Sequence, residues 1–187
     1  AINHLYQEEL GEIITDDKNI FEELQQLYAG NPDILSKIRF YENDAISLGT
    51  LYSFETQIQR AISERVWMKS GAYLIIQPTE ALTVIDVNSG KNTSGKNAEE
   101  YYYKINLEAA AEISRQLRLR NISGIVIVDF INMAKEEQRK ELMHQFRLSL
   151  KEDPVPVRLV DITKLGLVEL TRKKERKTLL EQVAQLR

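Results

Sequence analysis

Two carboxylates in the middle of the chain are placed to do metal chemistry. Leu82-Thr83-Val84-Ile85-Asp86-Val87-Asn88-Ser89-Gly90 is an apolar, β-branched run that ends in an acid, an amide and a glycine. Further on, Gly124-Ile125-Val126-Ile127-Val128-Asp129-Phe130 repeats the pattern and again delivers an acid. Runs this apolar fit strands covered on both faces, as in parallel sheets, and the intervening segment reads as one long helix. The unit is therefore expected to be a crossover between neighbouring parallel strands, which brings Asp86 and Asp129 together. Adjacent carboxylates repel unless a cation lies between them, and hard oxygen donors suit Mg²⁺ or Mn²⁺. A divalent-metal site is the first expectation.

The rest of the composition narrows the alternatives. The chain has 187 residues, enough for one domain with a real core, or for one compact domain plus a piece of another. It has no cysteine, which excludes disulfides and thiolate zinc sites, and only two histidines, His4 and His144, which argues against an imidazole-rich centre. A cytoplasmic location is expected. No apolar run reaches the ~18 residues of a membrane span, and the first residues lack the pattern of a signal peptide. The start without Met reads as an excised fragment or a processed product. Net charge is −3, so nucleic-acid binding has to come from local basic patches.

Several elements have to position the two acids. Helices are expected over residues 3–10 and 16–28, the second with Ile20, Leu24 and Leu27 on its apolar face, and a strand near 12–15. A helix over 50–65 carries Phe54, Ile58, Ala61 and Ile62 at helical spacing. Tyr73-Leu74-Ile75-Ile76 and the Asp86 run form an antiparallel hairpin around Pro78-Thr79-Glu80. Over 98–120, Tyr101, Ile105, Ala109, Ile113 and Leu117 recur every fourth residue, the ridge of a helix packed on a sheet. A further helix over 135–151, strands near 155–160 and 166–170, and an amphipathic helix containing Leu179, Leu180, Val183 and Leu186 complete an α/β (α+β) fold with a mixed sheet flanked by helices. The expected division is a leading region, 1–65, and a core, 66–187.

Charge offers less specific signals. Arg115, Arg118 and Arg120 end the long helix, where cations complement the helix dipole as readily as they meet phosphate. Arg172-Lys173-Lys174-Glu175-Arg176-Lys177 is the most basic run, either solvated surface or an RNA-backbone contact. Gly90-Lys91-Asn92-Thr93-Ser94-Gly95-Lys96-Asn97 nearly spells a phosphate-cradling P-loop, which makes a nucleotide hydrolase a minority alternative. The hydroxyl that should follow the lysine is replaced by Asn97.

Four separate blocks resemble the catalytic core of the ribonuclease E/G family: residues 79–90, Asn106-Leu107-Glu108-Ala109-Ala110 with Arg115-Gln116-Leu117-Arg118-Leu119-Arg120, Val128-Asp129-Phe130-Ile131-Asn132-Met133, and Leu165-Gly166-Leu167-Val168-Glu169-Leu170-Thr171-Arg172. They keep the family's order over about residues 70–174. The resemblance implies a deoxyribonuclease I-like subdomain and a single-strand-specific endoribonuclease of RNA processing, including rRNA processing and mRNA decay. Its products would carry 5′-phosphate and 3′-hydroxyl ends. By motif, the Mg²⁺ ligands carry over to Asp86 and Asp129, with Mn²⁺ as substitute, and the site-fixing amide to Asn88. Lys91, Lys96, Arg115, Arg118 and Arg172 are candidates for holding the RNA backbone on charge and position alone. Asn132 stands where many members have an acid, and Lys91 where many have arginine. The expected partner is single-stranded RNA, and the parent protein is expected to be a homo-oligomer. Without an S1-type barrel or a zinc-linking cysteine pair, the fragment is expected to cleave weakly by itself. An RNA-binding or structural module without catalysis is the alternative.

Overall fold

The computed structural model describes residues 10–90 and 98–185. The expected helix over 3–10 lies outside them except at Leu10, as do Leu186 and all of the P-loop-like stretch except Gly90. The chain divides into two compact units, Ala1–Arg60 and Ala61–Arg187.

The first unit contains β1 (Ile13–Thr15), α1 (Lys18–Leu27), α2 (Pro32–Leu35), β2 (Ile38–Phe40) and α3 (Leu48–Leu51), and most of α4 (Phe54–Ile62). Strands β1 and β2 pair in parallel around α1. Asp17 starts α1, its carboxylate accepting from the backbone N–H of Asn19 and Ile20 at 2.8 and 3.1 Å. The inward face differs from the expected one. Ile20 and Leu27 are 48% and 70% exposed, and Phe21, Leu24 and Tyr28 face the small core with Ile34 and Ile38. Both sets have helical spacing and share Leu24; the stripe that buries two aromatic rings removes more apolar area from water. The single helix expected over 50–65 is also interrupted. Ser53 takes a left-handed φ of 51°, separating α3 from α4, and residues from Arg65 onward are already strand.

The second unit runs β3 (Arg65–Trp67), β4 (Tyr73–Pro78), β5 (Leu82–Asn88), α5 (Ala98–Leu119), β6 (Gly124–Asp129), α6 (Glu136–Leu150), β7 (Val157–Ile162), β8 (Val168–Arg172) and α7 (Leu179–Gln185). Its mixed six-stranded sheet has the order β3-β4-β5-β6-β8-β7. The crossover through α5 makes β5 and β6 parallel neighbours; the other pairings described are antiparallel. Leu74, Ile76, Ile85, Val87, Val126, Val128 and Leu170 point to one face and share a core with Ile105, Ala109, Ile113 and Leu117 of α5 and with Leu142, Phe146 and Leu150 of α6. The four-residue ridge of α5 is therefore core packing.

The opposite face corrects the expectation of strands covered on both sides. Burial alternates along β5 and β6, and Val84 and Ile125 on the second face are exposed. Both crossover helices lie on one side, and among the described residues of this unit no helix covers the other. Mostly antiparallel pairing tolerates such an open face, even where its residues are apolar.

Candidate active site

The ladder between β5 and β6 builds the centre of the site. Asp86 is the register partner of Asp129, so the two side chains leave the sheet on the same face from neighbouring strands, whose spacing is roughly 5 Å. It is the open face. Thr83, Ile85 and Val87 turn towards the helices, which leaves Asp86 and Asn88 on the other side of the pleat, Asp86 half-buried and Asp129 exposed. Asn88, two residues along the strand, donates from Nδ2 to Asp86 Oδ2 at 2.8 Å. The amide thus fixes one carboxylate. Among the described residues, neither Asp86 nor Asp129 has a lysine or arginine at ion-pair distance. Two adjacent acids with no lysine or arginine at ion-pair distance among the described residues, beside an amide, are hard donors of the kind that suits Mg²⁺ or Mn²⁺.

Two further residues shape the site. Asn106, wholly buried in α5, donates from Nδ2 to the Ile131 carbonyl at 2.7 Å and accepts the Ile131 N–H at 3.0 Å. This clamp fixes the backbone two residues beyond Asp129. Sequence reasoning quoted Asn106 within a block but assigned it no role; an amide beside Ile105 on a core-facing helix was the available signal, because such a group needs partners. Gly90 closes β5 with φ of 69°, and a Cβ there would lie 2.5 Å from the Gly71 carbonyl oxygen. Only glycine fits both the left-handed backbone and the close approach to the β3–β4 turn.

The three described basic candidates, Arg115, Arg118 and Arg172, do not gather around the acids. Arg115 forms a two-pronged pair with Glu112, at 3.0 and 2.7 Å. Arg118 lies 3.6 Å from Glu152. Both sit on α5 in the helical layer, roughly 14 and 18 Å along the helix from the Asn106 clamp at ~1.5 Å per residue. Arg172 is corrected outright as a surface RNA contact. Its side chain is 3% exposed, and its Nε and Nη2 donate to the buried Asp153 at 2.8 and 3.1 Å. Nη1 donates to Asn121 Oδ1 and the Ile122 carbonyl. Asn121 ends α5 with a φ of 49°, and its Nδ2 holds the carbonyls of Arg176 and Lys177. The first arginine of the basic run is thus an internal tie, while Lys173 to Lys177 are exposed. Lys91 and Lys96 lie outside the described residues.

Charge is tuned in the helical layer. Burial raises the Glu112 carboxyl, but hydrogen bonds from Arg115 and Gln116 outweigh it and hold the group below its ordinary range. Burial likewise pulls Arg120 below its usual value; its guanidinium donates to Gln116 and to the Ser63 carbonyl. Arg120 is thus tied to this unit's own side chains and backbone.

Comparison with known proteins places these residues in a wider pattern. Ribonuclease G of Salmonella typhimurium (strain SL1344) is 39% identical over 171 residues, covering 91% of this chain and 35% of that protein. Ribonuclease E of Escherichia coli (strain K12) is 36% identical over 176 residues, 93% of this chain and 16% of that protein. Ribonuclease E of Haemophilus influenzae (strain ATCC 51907 / DSM 11121 / KW20 / Rd) is 35% identical over 175 residues, 93% of this chain and 19% of that protein. The chain thus spans about a third or less of these relatives' length. The family model described as the Ribonuclease E/G family matches residues 1–175, through both compact units and the paired acids, and the chain belongs to that family.

Proposed function

We propose that this chain is the catalytic core of a Mg²⁺-dependent endoribonuclease of RNA processing and decay. It acts in the cytoplasm on single-stranded RNA and leaves 5′-phosphate and 3′-hydroxyl ends. The observation that carries the reading is the register pairing of Asp86 with Asp129 on an open sheet face, without a protein cation at ion-pair distance among the described residues. Asp86 and Asp129 would hold the divalent ion, and Asn88 fixes the Asp86 carboxylate through its 2.8 Å hydrogen bond. When bound, Mg²⁺ supplies an activated water and offsets the charge that builds on the scissile phosphate. The water oxygen bonds to phosphorus as the P–O3′ bond breaks, and a proton ends on the 3′ oxygen. Two carboxylates and one amide oxygen leave several of Mg²⁺'s six positions to water and RNA. No protein nucleophile is needed. The nucleotide-hydrolase alternative draws no support from membership of a ribonuclease family.

The test uses the full-length, homo-oligomeric parent. Asp86→Asn and Asp129→Asn each abolish Mg²⁺-dependent cleavage of a 5′-monophosphorylated, AU-rich single-stranded RNA while leaving the circular dichroism spectrum unchanged. Mn²⁺ binding to this chain, followed by electron paramagnetic resonance, weakens in parallel. Retained cleavage in both variants refutes the catalytic assignment and leaves a binding module.

A further inference from the structure

The open face carries a second feature on the far side of Asn88. Register pairing aligns Trp67, Tyr73 and Asn88 across β3, β4 and β5, and in the next row Arg65, Ile75, Asp86 and Asp129. These side chains share one face of the sheet. Trp67, the chain's single tryptophan, is 62% exposed. Its ring centroid lies 5.1 Å from that of Tyr73, with the planes at 57°. The Arg65 guanidinium sits 4.6 Å from the Tyr73 ring centre and 5.6 Å from that of Trp67.

We propose that Trp67, Tyr73 and Arg65 form a stacking subsite for a base of single-stranded RNA flanking the scissile phosphate. The inference rests on the ribonuclease reading above and extends it to how the substrate is held. Three observations select this occupant. Trp67 leaves a large aromatic surface in water on a three-residue strand at the sheet edge. Aromatic rings with an arginine beside them are the usual platform for unpaired bases. Arg65 has no carboxylate at ion-pair distance among the described residues, whereas Arg115 and Arg172 each have one. Arg65 is thus a cation free to meet a phosphate on a face that also bears Asp86, Asp129 and Glu169, and Lys69 adds an exposed charge on the adjoining turn. Finally, Trp67 lies two strand spacings from Asn88, roughly 10 Å, which sets the platform beside the metal site and not on it. Stacking reads any base face, so the subsite contributes affinity and placement with little base preference.

Because Trp67 is the only tryptophan, its fluorescence reports directly on the subsite. This chain is titrated without divalent metal with a short single-stranded RNA carrying 2′-O-methyl groups, up to millimolar concentration, and with an abasic strand of equal length. Saturable quenching by the base-bearing strand, at least tenfold weaker for the abasic strand, is the expected result. Tyr73→Leu weakens binding roughly tenfold, and Arg65→Gln lowers the slope of log affinity against log salt by about one phosphate contact. Asp86→Asn leaves the quenching intact. Cleavage surviving in Asp86→Asn parent would therefore sink the catalytic reading alone, without touching the stacking result. No quenching, or equal quenching by the abasic strand, overturns the stacking proposal. So does a blue-shifted tryptophan spectrum that depends on protein concentration and excludes RNA, because the platform would then be a protein–protein contact.

Discussion

Replacing Arg172 by methionine distinguishes an internal tie from an RNA contact. The substitution keeps most of the aliphatic volume and removes a guanidinium that makes four hydrogen bonds, two to Asp153, one to Asn121 and one to the Ile122 carbonyl. Asp153, whose side chain is 2% exposed, would retain the Val155 N–H at 2.9 Å and lose its counter-charge. Removing one partner of a buried pair costs ~3–5 kcal/mol, because the remaining charge stays buried and unpaired. At an m-value of ~2 kcal/mol per molar, the urea midpoint of the unit should fall by roughly 2 M. Adding Asp153→Asn removes the stranded charge and keeps an oxygen for Val155. The double variant should therefore recover at least ~1 kcal/mol, a coupling typical of contacting partners. Equilibrium urea unfolding of the chain, followed by circular dichroism, gives the numbers. A surface RNA contact would behave in the opposite way, with unchanged stability and weaker RNA binding. A midpoint shift under ~0.5 M in Arg172→Met would refute the reasoning.

The other predictions concern the site's supports. Gly90→Ala meets both a left-handed backbone and the Gly71 carbonyl oxygen at 2.5 Å, whereas Gly166→Ala, at φ of 89°, meets no atom within 4 Å. Thermal unfolding should show Gly90→Ala costing ~1–3 kcal/mol more than Gly166→Ala, and Mn²⁺ titration should show weaker binding only in the former; equal effects would contradict the packing argument. Asn106→Ala strands the Ile131 N–H and carbonyl and should cost ~2–4 kcal/mol by urea unfolding, with kcat of the parent falling more than KM rises. Glu112 has a folded pKa below its ordinary value, so its stabilising contribution is complete above that value and is lost as pH falls through the folded one. Glu112→Gln should consequently flatten the acid limb of a stability–pH profile and change little near pH 7 beyond the ~1 kcal/mol of a partly exposed pair. Without further phosphate contacts, the chain alone should cleave single-stranded RNA far more slowly than the parent, a difference read directly from single-turnover rates.

The acids were legible because apolar, β-branched runs mark strands, and a long helical ridge between them implies a crossover that makes the strands neighbours. The hairpin leading into Asp86, the cap at Asp17 and the packing of Tyr101 to Leu117 followed from equally local rules. What stayed hidden depends on which side of an element finds a partner. Strand periodicity does not say that both crossover helices lie on one face, so Val84 and Ile125 read as core. Helical spacing does not choose between the stripe at Ile20 and the stripe at Phe21. Charge does not reveal that Asp153 waits inside for Arg172, because the two are far apart in sequence and meet only when β8 inserts between β6 and β7. The clamp at Asn106 is not legible in the sequence because its partners are backbone groups, which carry no sequence signature.

The distance between the two acids is inherited from the hydrogen-bonded ladder of β5 and β6 and owes little to the packing of side chains around them. A ladder moves in whole steps: a slip of one residue would turn an acid to the helical side, and no intermediate setting exists. The carboxylate pair is thus insulated from gradual drift elsewhere in the molecule. Substitutions at Trp67, Tyr73, Ile75, Val84 or Ile127 can remodel the neighbouring surface while the carboxylates keep their separation. A scaffold of this kind separates the spacing of the acids, which the backbone sets, from the surface around them, which side-chain replacement can reshape.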